Sequence, residues 1–166
     1  RTDLKYPKWK PLVKPELKSS ESLLKLVEEK DRFVHVPYHT FDYVVRLLQE
    51  AAVSKNVKSI KITLYRVARD SKIIEALISA ARNGKKVTAV VELLARFDES
   101  SNIHWARKMQ DAGINVVFGV EGLKVHSKIA LIGMKNLKNI AIVGTGNFHE
   151  GNAKVYTDYF TMTANP

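Results

Sequence analysis

Residues Ser59–Leu93, SIKITLYRVARDSKIIEALISAARNGKKVTAVVEL, decide the fold. In SIKITLY the apolar residues alternate at Ile60, Ile62 and Leu64, the period of a β-strand. SKIIEALISAAR, residues 71–82, reads as a helix, and Asn83-Gly84 supplies its stop signal. VTAVVEL follows as a second strand, apolar on both faces. Strand, helix and strand in that order predict a parallel pair joined by a crossover.

The pattern continues in both directions. SSNIHWARKMQDAG is a further helix ending at Gly113, and INVVFGV a further strand. VHSKIALI, the polar loop GMKNLKN and IAIVGTGN read as an antiparallel hairpin, with VYTDYFTMTA as a last strand. Upstream, Thr40 caps a helix in which Phe41, Val44, Val45, Leu48 and Ala52 repeat at helical spacing. RFVHVPYH is a brief extended piece ended by Pro37, and residues 19–30 a short helix with Leu23, Leu24 and Val27 inward. The expectation is one α/β domain, a mixed and largely parallel sheet flanked by helices. Pro7, Pro11 and Pro15 keep the opening segment irregular, so residues 1–18 read as a linker and 19–166 as the domain. The first residue is Arg1 rather than Met, which suggests a piece of a longer protein.

Composition narrows the function. The 27 Lys and Arg against 17 Asp and Glu leave a formal charge of +10, which favours polyanionic partners. Cysteine is absent, which excludes disulfides, thiolate metal sites and a cysteine nucleophile. No apolar run approaches the roughly 18 residues of a membrane span.

In an open α/β sheet, ligands gather beyond the carboxyl ends of the strands. KITLYR delivers Arg66 there and VVELLAR delivers Arg96, a candidate oxyanion clamp whose alternative is pairing with Asp70 and Asp98. In GLKVHSKIALI, period-2 alternation puts His126 and Lys128 on one face of an apolar strand. Two titratable groups buried side by side call for an anion. A neutral imidazole attacks a phosphoryl centre while Lys and Arg hold its oxygens, so His126 is the candidate nucleophile. In GTGN the glycines admit a ligand to the backbone, and Asn147 can donate to it. Tyr156 is a candidate for stacking on a base, whereas Asp158 and Tyr159 stay ambiguous. His35, His39, His104 and His149 read as ordinary structural histidines, though His39 at a helix start could meet an anion. No Asp, Glu and His cluster has metal-ligand spacing.

His-x-Lys followed by Gly-Thr-Gly-Asn resembles half of the phospholipase D superfamily motif, H-x-K-x4-D…G-S-x-N. The motif's Asp falls on Gly133, and Thr145 replaces its serine. A closer resemblance, from about Asp3 to the end, is to the polyphosphate kinases of the bacterial phosphohistidine type. VPYHTFDYVVRLLQEAA, IKITLYRVARDSKIIEALISAARNGKKVTAVVEL, ARFDE, GLKVHSKIALI, GTGNFHE and VYTDY resemble that family's blocks in the family's order. The resemblance implies a phospholipase D-like half, the first of two catalytic domains, inactive alone. It implies that His126 is phosphorylated during turnover. Arg66 and Arg96 match the family's magnesium–phosphate site, with Mg²⁺ held through bound phosphate because a guanidinium has no lone pair. Lys128 and Asn147 would bind phosphate, and Tyr156 the nucleotide. ATP or ADP and inorganic polyphosphate would be the substrates, with no nucleic acid among the partners. The parent enzyme would be a cytoplasmic homo-oligomer containing further domains, in peripheral association with the inner membrane. Two other readings are a phospholipase D-type phosphodiesterase whose half-site is completed by homodimerisation, and a non-catalytic basic module that binds polyanions.

Overall fold

The computed structural model describes residues 9–17, 20–92, 99–119 and 122–165. Arg96 therefore lies outside the described residues. The predicted unit is present as β2 (Val57–Leu64), α3 (Lys72–Arg82) and β3 (Lys86–Val91), followed by α4 (Glu99–Asp111) and β4 (Asn115–Phe118). Ser71 caps α3 by accepting the Ile74 N–H, and Gly84 at φ 77° turns the chain out of the helix. Upstream come α1 (Leu23–Glu29), β1 (Arg32–Val36) and α2 (Asp42–Val53). Downstream come β5 (Ile129–Met134), β6 (Ile140–Gly144) and β7 (Asp158–Thr163).

The described strands form one sheet in the order β1-β7-β6-β5-β2-β3-β4. Pairings β2–β3 and β3–β4 are parallel, and the other four are antiparallel. The sheet is mixed, as expected, but less of it is parallel than the sequence pattern predicts. The β5–β6–β7 run joins β2 antiparallel, and β1, which the sequence marks only as an extended piece, adds a fourth antiparallel pairing at the edge beside β7. α2 starts one residue later than expected. Thr40 Oγ1 still accepts the Asp42 N–H at 3.2 Å, but Phe41 occupies the cap position.

Alternation sorts the sheet into two faces. On one, Val34, Ile60, Ile62, Ala89, Ala130, Ile132, Ile142, Phe160 and Met162 are at most 2% exposed. α2 and α3 pack on each other and join this core, with α4 beside α3 and β4, and α1 against α2, β6 and β7. On the other face Phe33, Ile129, Leu131, Val143 and Tyr159 remain 37–47% exposed. The segment before α1 is docked on the domain. Leu17 is buried at 1%, Leu12 bridges His39, and the Lys14 N–H donates to the Tyr43 hydroxyl at 2.7 Å.

Candidate active site

Alternating strand direction gathers four chain segments at one sheet edge. β2 ends at Leu64 and hands out Tyr65 and Arg66. His126, Ser127 and Lys128 lead into β5. β6 ends at Gly144 and hands out Thr145, Gly146 and Asn147, and Asp158 opens β7. These segments meet at the carboxyl end of β2, the end at which ligands gather in open α/β sheets.

One expectation is corrected. The strand begins at Ile129, so His126 and Lys128 precede it rather than sharing a face within it, and His126 is exposed. The β2–β5 ladder stops at Ile62 and Ala130, where the Thr63 hydroxyl takes over. Thr63 Oγ1 donates to Ser127 O at 2.7 Å and accepts the Ile129 N–H at 3.1 Å. Side-chain bonds substitute for the ladder, so the chain bends away while Val125 upstream is still buried at 9%. The apolar run of the sequence therefore outlasts the strand.

The segment is held elsewhere too. The Val125 N–H donates to Glu92 Oε2 at 3.2 Å, and the Gly144 N–H to Lys128 O at 2.8 Å. The Lys128 ammonium folds back to donate to the His126 carbonyl. The His126 ring meets the Tyr65 ring edge to face at a centroid distance of 5.4 Å. Lys128 Nζ and Arg66 Cζ lie 5.6 and 5.9 Å from the same ring centroid. Tyr65 thereby organises two cations and the imidazole, each cation–π contact contributing about 0.5–1 kcal/mol at such a partly exposed site.

Lys128 is half-buried, and burial pushes its pKa below the ordinary lysine value; the Asp158 carboxylate pulls it partly back. Asp158 is fixed by Thr145, whose hydroxyl donates to Oδ1 at 2.8 Å and accepts the Tyr159 N–H at 3.0 Å. Gly146 is required for that approach, because a Cβ there would lie 2.4 Å from Asp158 Oδ2. Asn147 follows on the same loop, its amide oxygen buried without a hydrogen-bond partner. The loop is pinned behind by Glu150, whose Oε1 accepts from Ser71 Oγ and from the Ile73 N–H at the start of α3.

Tyr156 is 58% exposed in the turn ahead of β7, at the same edge. His39 Nδ1 accepts the His35 N–H at 3.1 Å, and burial, with Lys14 and His35 nearby, pushes its pKa down against a smaller opposing pull from Glu16. His149 Nδ1 likewise accepts the N–H groups of Gly151 and Asn152. Sequence reasoning missed Thr63, Tyr65 and Glu92. Tyr65 had a usable signal, since it stands between the last strand residue and Arg66; Thr63 and Glu92 act on partners 33 to 66 residues away and have none.

Among the described residues no group of three or more His, Asp and Glu could hold a metal ion, and no helix is long and apolar enough to cross a membrane.

The strand order and the His-x-Lys edge define a phospholipase D-like fold. A phospholipase D family member, Nuc from Salmonella typhimurium, superposes with a TM-score of 0.63 at 18% identity, covering 80% of this chain and 81% of that one. NucT from Helicobacter pylori gives 0.59 at 21%, covering 82% and 86%. Within that class, residues 22–166 match the model of polyphosphate kinase C-terminal domain 1, and the chain belongs to that family. It is 51% identical over 141 residues to the polyphosphate kinase of Escherichia coli K12, covering 83% of this chain and 20% of that protein. It is 44% identical over 167 residues to that of Neisseria meningitidis, covering 99% and 24%. The crystal structure of polyphosphate kinase from Porphyromonas gingivalis superposes with a TM-score of 0.85 at 46% identity, covering 99% of this chain and 28% of that one. The chain thus spans about a fifth to a quarter of the length of these two curated relatives.

Proposed function

We propose that this chain supplies one catalytic half of a polyphosphate kinase, with residues 19–166 as the first phospholipase D-like domain. In the complete enzyme His126 carries the γ-phosphoryl group of ATP to the end of inorganic polyphosphate, reversibly. The observation that carries this reading is the convergence of His126, Lys128, Arg66 and the Thr145–Asn147 loop at one sheet edge in a member of this family.

In the first step a neutral imidazole nitrogen of His126 gives its lone pair to the γ-phosphorus. The N–P bond forms as the bond to the bridging β–γ oxygen breaks, and that oxygen leaves with ADP. In the second step a terminal oxygen of polyphosphate attacks the same phosphorus and the N–P bond breaks. The exposure of His126 suits this chemistry, since two large anions must reach one nitrogen in turn. Lys128 and Arg66 would hold the non-bridging oxygens, joined by Asn147 and by Arg96. Tyr156 would contact the nucleotide. The described residues do not fit a protein-built Mg²⁺ site, because Arg66 offers no lone pair and Asp158 is a single carboxylate engaged by Thr145. Mg²⁺ would be held through the phosphate oxygens that Arg66 and Arg96 grip, and would supply charge neutralisation there. The other half of the site would be supplied by remaining domains or a second copy, and the enzyme would work in the cytoplasm.

The test is transfer of label from γ-³²P-ATP with Mg²⁺ to the complete gene product and to its His126→Ala variant. Acid-labile, alkali-stable label lost in the variant supports the reading. Label that persists in the variant removes the role of His126. No label in either, with hydrolysis of a phosphodiester instead, would move the chain to the diesterase class.

A further inference from the structure

At the opposite end of β2, about 20 Å from Tyr65 by the rise of six strand residues, lies a cleft of roughly 1040 Å³. Lys55, Lys58, Lys61, Lys85, Lys86 and Lys135 line it, and none of its described lining residues is acidic. None of the six makes an ion pair with a described residue.

Four elements bring these lysines together. Ser59 pairs with Lys86, and Lys61 with Thr88, across β2 and β3, which makes a floor of two cations and two hydroxyls. Gly84 at φ 77° turns α3 into β3 and sets Lys85 at the rim. The Lys135 N–H donates to Asn56 O at 2.7 Å, tying the β5–β6 turn to the turn before β2, which carries Lys55. Burial, and then the charge of Lys135, pushes the Lys85 pKa down, as expected where cations crowd without a counter-charge. Gly133, where the phospholipase D motif has its Asp, adjoins this wall: a Cβ there would lie 2.2 Å from Ser59 Oγ and 3.5 Å from Lys58 Cε, so β5 has no room for a side chain at that position.

We propose that this lysine cleft is a second anion site, separate from the His126 edge, which binds a linear phosphate chain. The ligand is a bare polyphosphate rather than a nucleic acid, because the cleft offers cations and hydroxyls but no aromatic ring on which a base stacks. For the identity of its ligand the inference rests on the polyphosphate reading. A chain held there keeps a growing or shrinking polymer on the protein while its end is exchanged at His126.

The test is amine footprinting of the complete gene product, in which acetylation rates of individual lysines are read by mass spectrometry. The probes are long-chain polyphosphate and oligothymidylate at equal phosphate concentration. Polyphosphate should slow acetylation of Lys85, Lys86 and Lys135 by about threefold or more, with oligothymidylate much weaker at equal salt. The protection should survive His126→Ala. A variant with Lys58, Lys61, Lys86 and Lys135 changed to Gln should bind polyphosphate with a log–log salt slope shallower by about 3, at about 0.7 per lost phosphate contact. Unprotected cleft lysines alongside a protected Lys128 would overturn the second site and leave the proposed function intact. Protected cleft lysines in a protein that never forms phosphohistidine would support the cleft and remove the kinase reading. Loss of cleft protection in His126→Ala, or equal protection by oligothymidylate, would overturn the site's independence or its chemistry.

Discussion

Thr63→Val is the perturbation that tests how His126 is held. The substitution keeps the branched shape and removes the hydroxyl that donates to Ser127 O at 2.7 Å and accepts from the Ile129 N–H at 3.1 Å. Each bond contributes about 1 kcal/mol net, and stranding its main-chain partner costs about 1–3 kcal/mol where water is excluded. Ser127 and Ile129 are exposed, so water replaces much of what is lost. The expected destabilisation is therefore about 2 kcal/mol, at the low end of that range. With a urea slope of about 2 kcal/mol/M, the unfolding midpoint should fall by about 1 M. In the complete enzyme the freed segment should misplace the imidazole and slow phosphohistidine formation about tenfold to a hundredfold. Thr63→Ser keeps the hydroxyl and should stay within about 0.5 kcal/mol of the parent with near-normal labelling. Thr63→Val with an unchanged midpoint and labelling rate, or Thr63→Ser as damaging as Val, would refute the view that this hydroxyl anchors the segment.

Three further outcomes are expected. Gly144→Ala puts a Cβ 2.5 Å from the buried ring of Phe160, which packs on Phe41 and Phe148, and should cost about 1–3 kcal/mol by overpacking; an unchanged melting temperature would contradict it. Asp158→Asn keeps an acceptor for Thr145 but removes the charge that raises the Lys128 pKa, so that pKa, read from the Cε resonance in an NMR titration, should drop further below the lysine norm. The folded pKa of His39 lies below the ordinary histidine value of 6.5, so the unfolded chain binds more protons in that interval and stability must fall as pH drops from 6.5 toward the folded pKa. His39→Asn, which keeps an acceptor for the His35 N–H, should flatten that slope in urea titrations at pH 7 and pH 5.

Much of this fold is written locally. α3 and its stop at Asn83-Gly84 sit within one residue of where sequence alone puts them, because each is a property of a few adjacent residues. The pairing of β1 with β7 joins Arg32 to Met162, and no local pattern encodes a contact across such a separation. The same boundary divides the site. Arg66 and His126 are legible as chemistry, and strand direction brings them to one edge. What escaped is the end of the strand at Ile129. Hydrophobic alternation reports which side chains want burial, and Val125 is indeed buried, but alternation is silent on where a ladder hands over to a side-chain hydroxyl.

That handover explains how His126, the proposed nucleophile, is held in place while exposed. Among the described residues, every hydrogen bond to the segment from Val125 to Ile129 is made to its main chain. Glu92 takes the Val125 N–H, Lys128 Nζ the His126 carbonyl, Thr63 the Ser127 carbonyl and the Ile129 N–H, and the Gly144 N–H the Lys128 carbonyl. The imidazole itself touches Tyr65 through a ring contact, and no described residue hydrogen-bonds either of its nitrogens. A histidine clamped by a carboxylate has its tautomer and basicity set by that partner. Here position is fixed through the backbone while no described residue occupies either nitrogen, the arrangement the proposed phosphoryl transfer needs. Damage to these anchors should therefore appear as a lower rate of phosphoryl transfer at every pH, with the shape of the pH–rate profile unchanged. A shifted profile in Thr63→Val would mean that the hydroxyl acts on the imidazole's protonation rather than on its position.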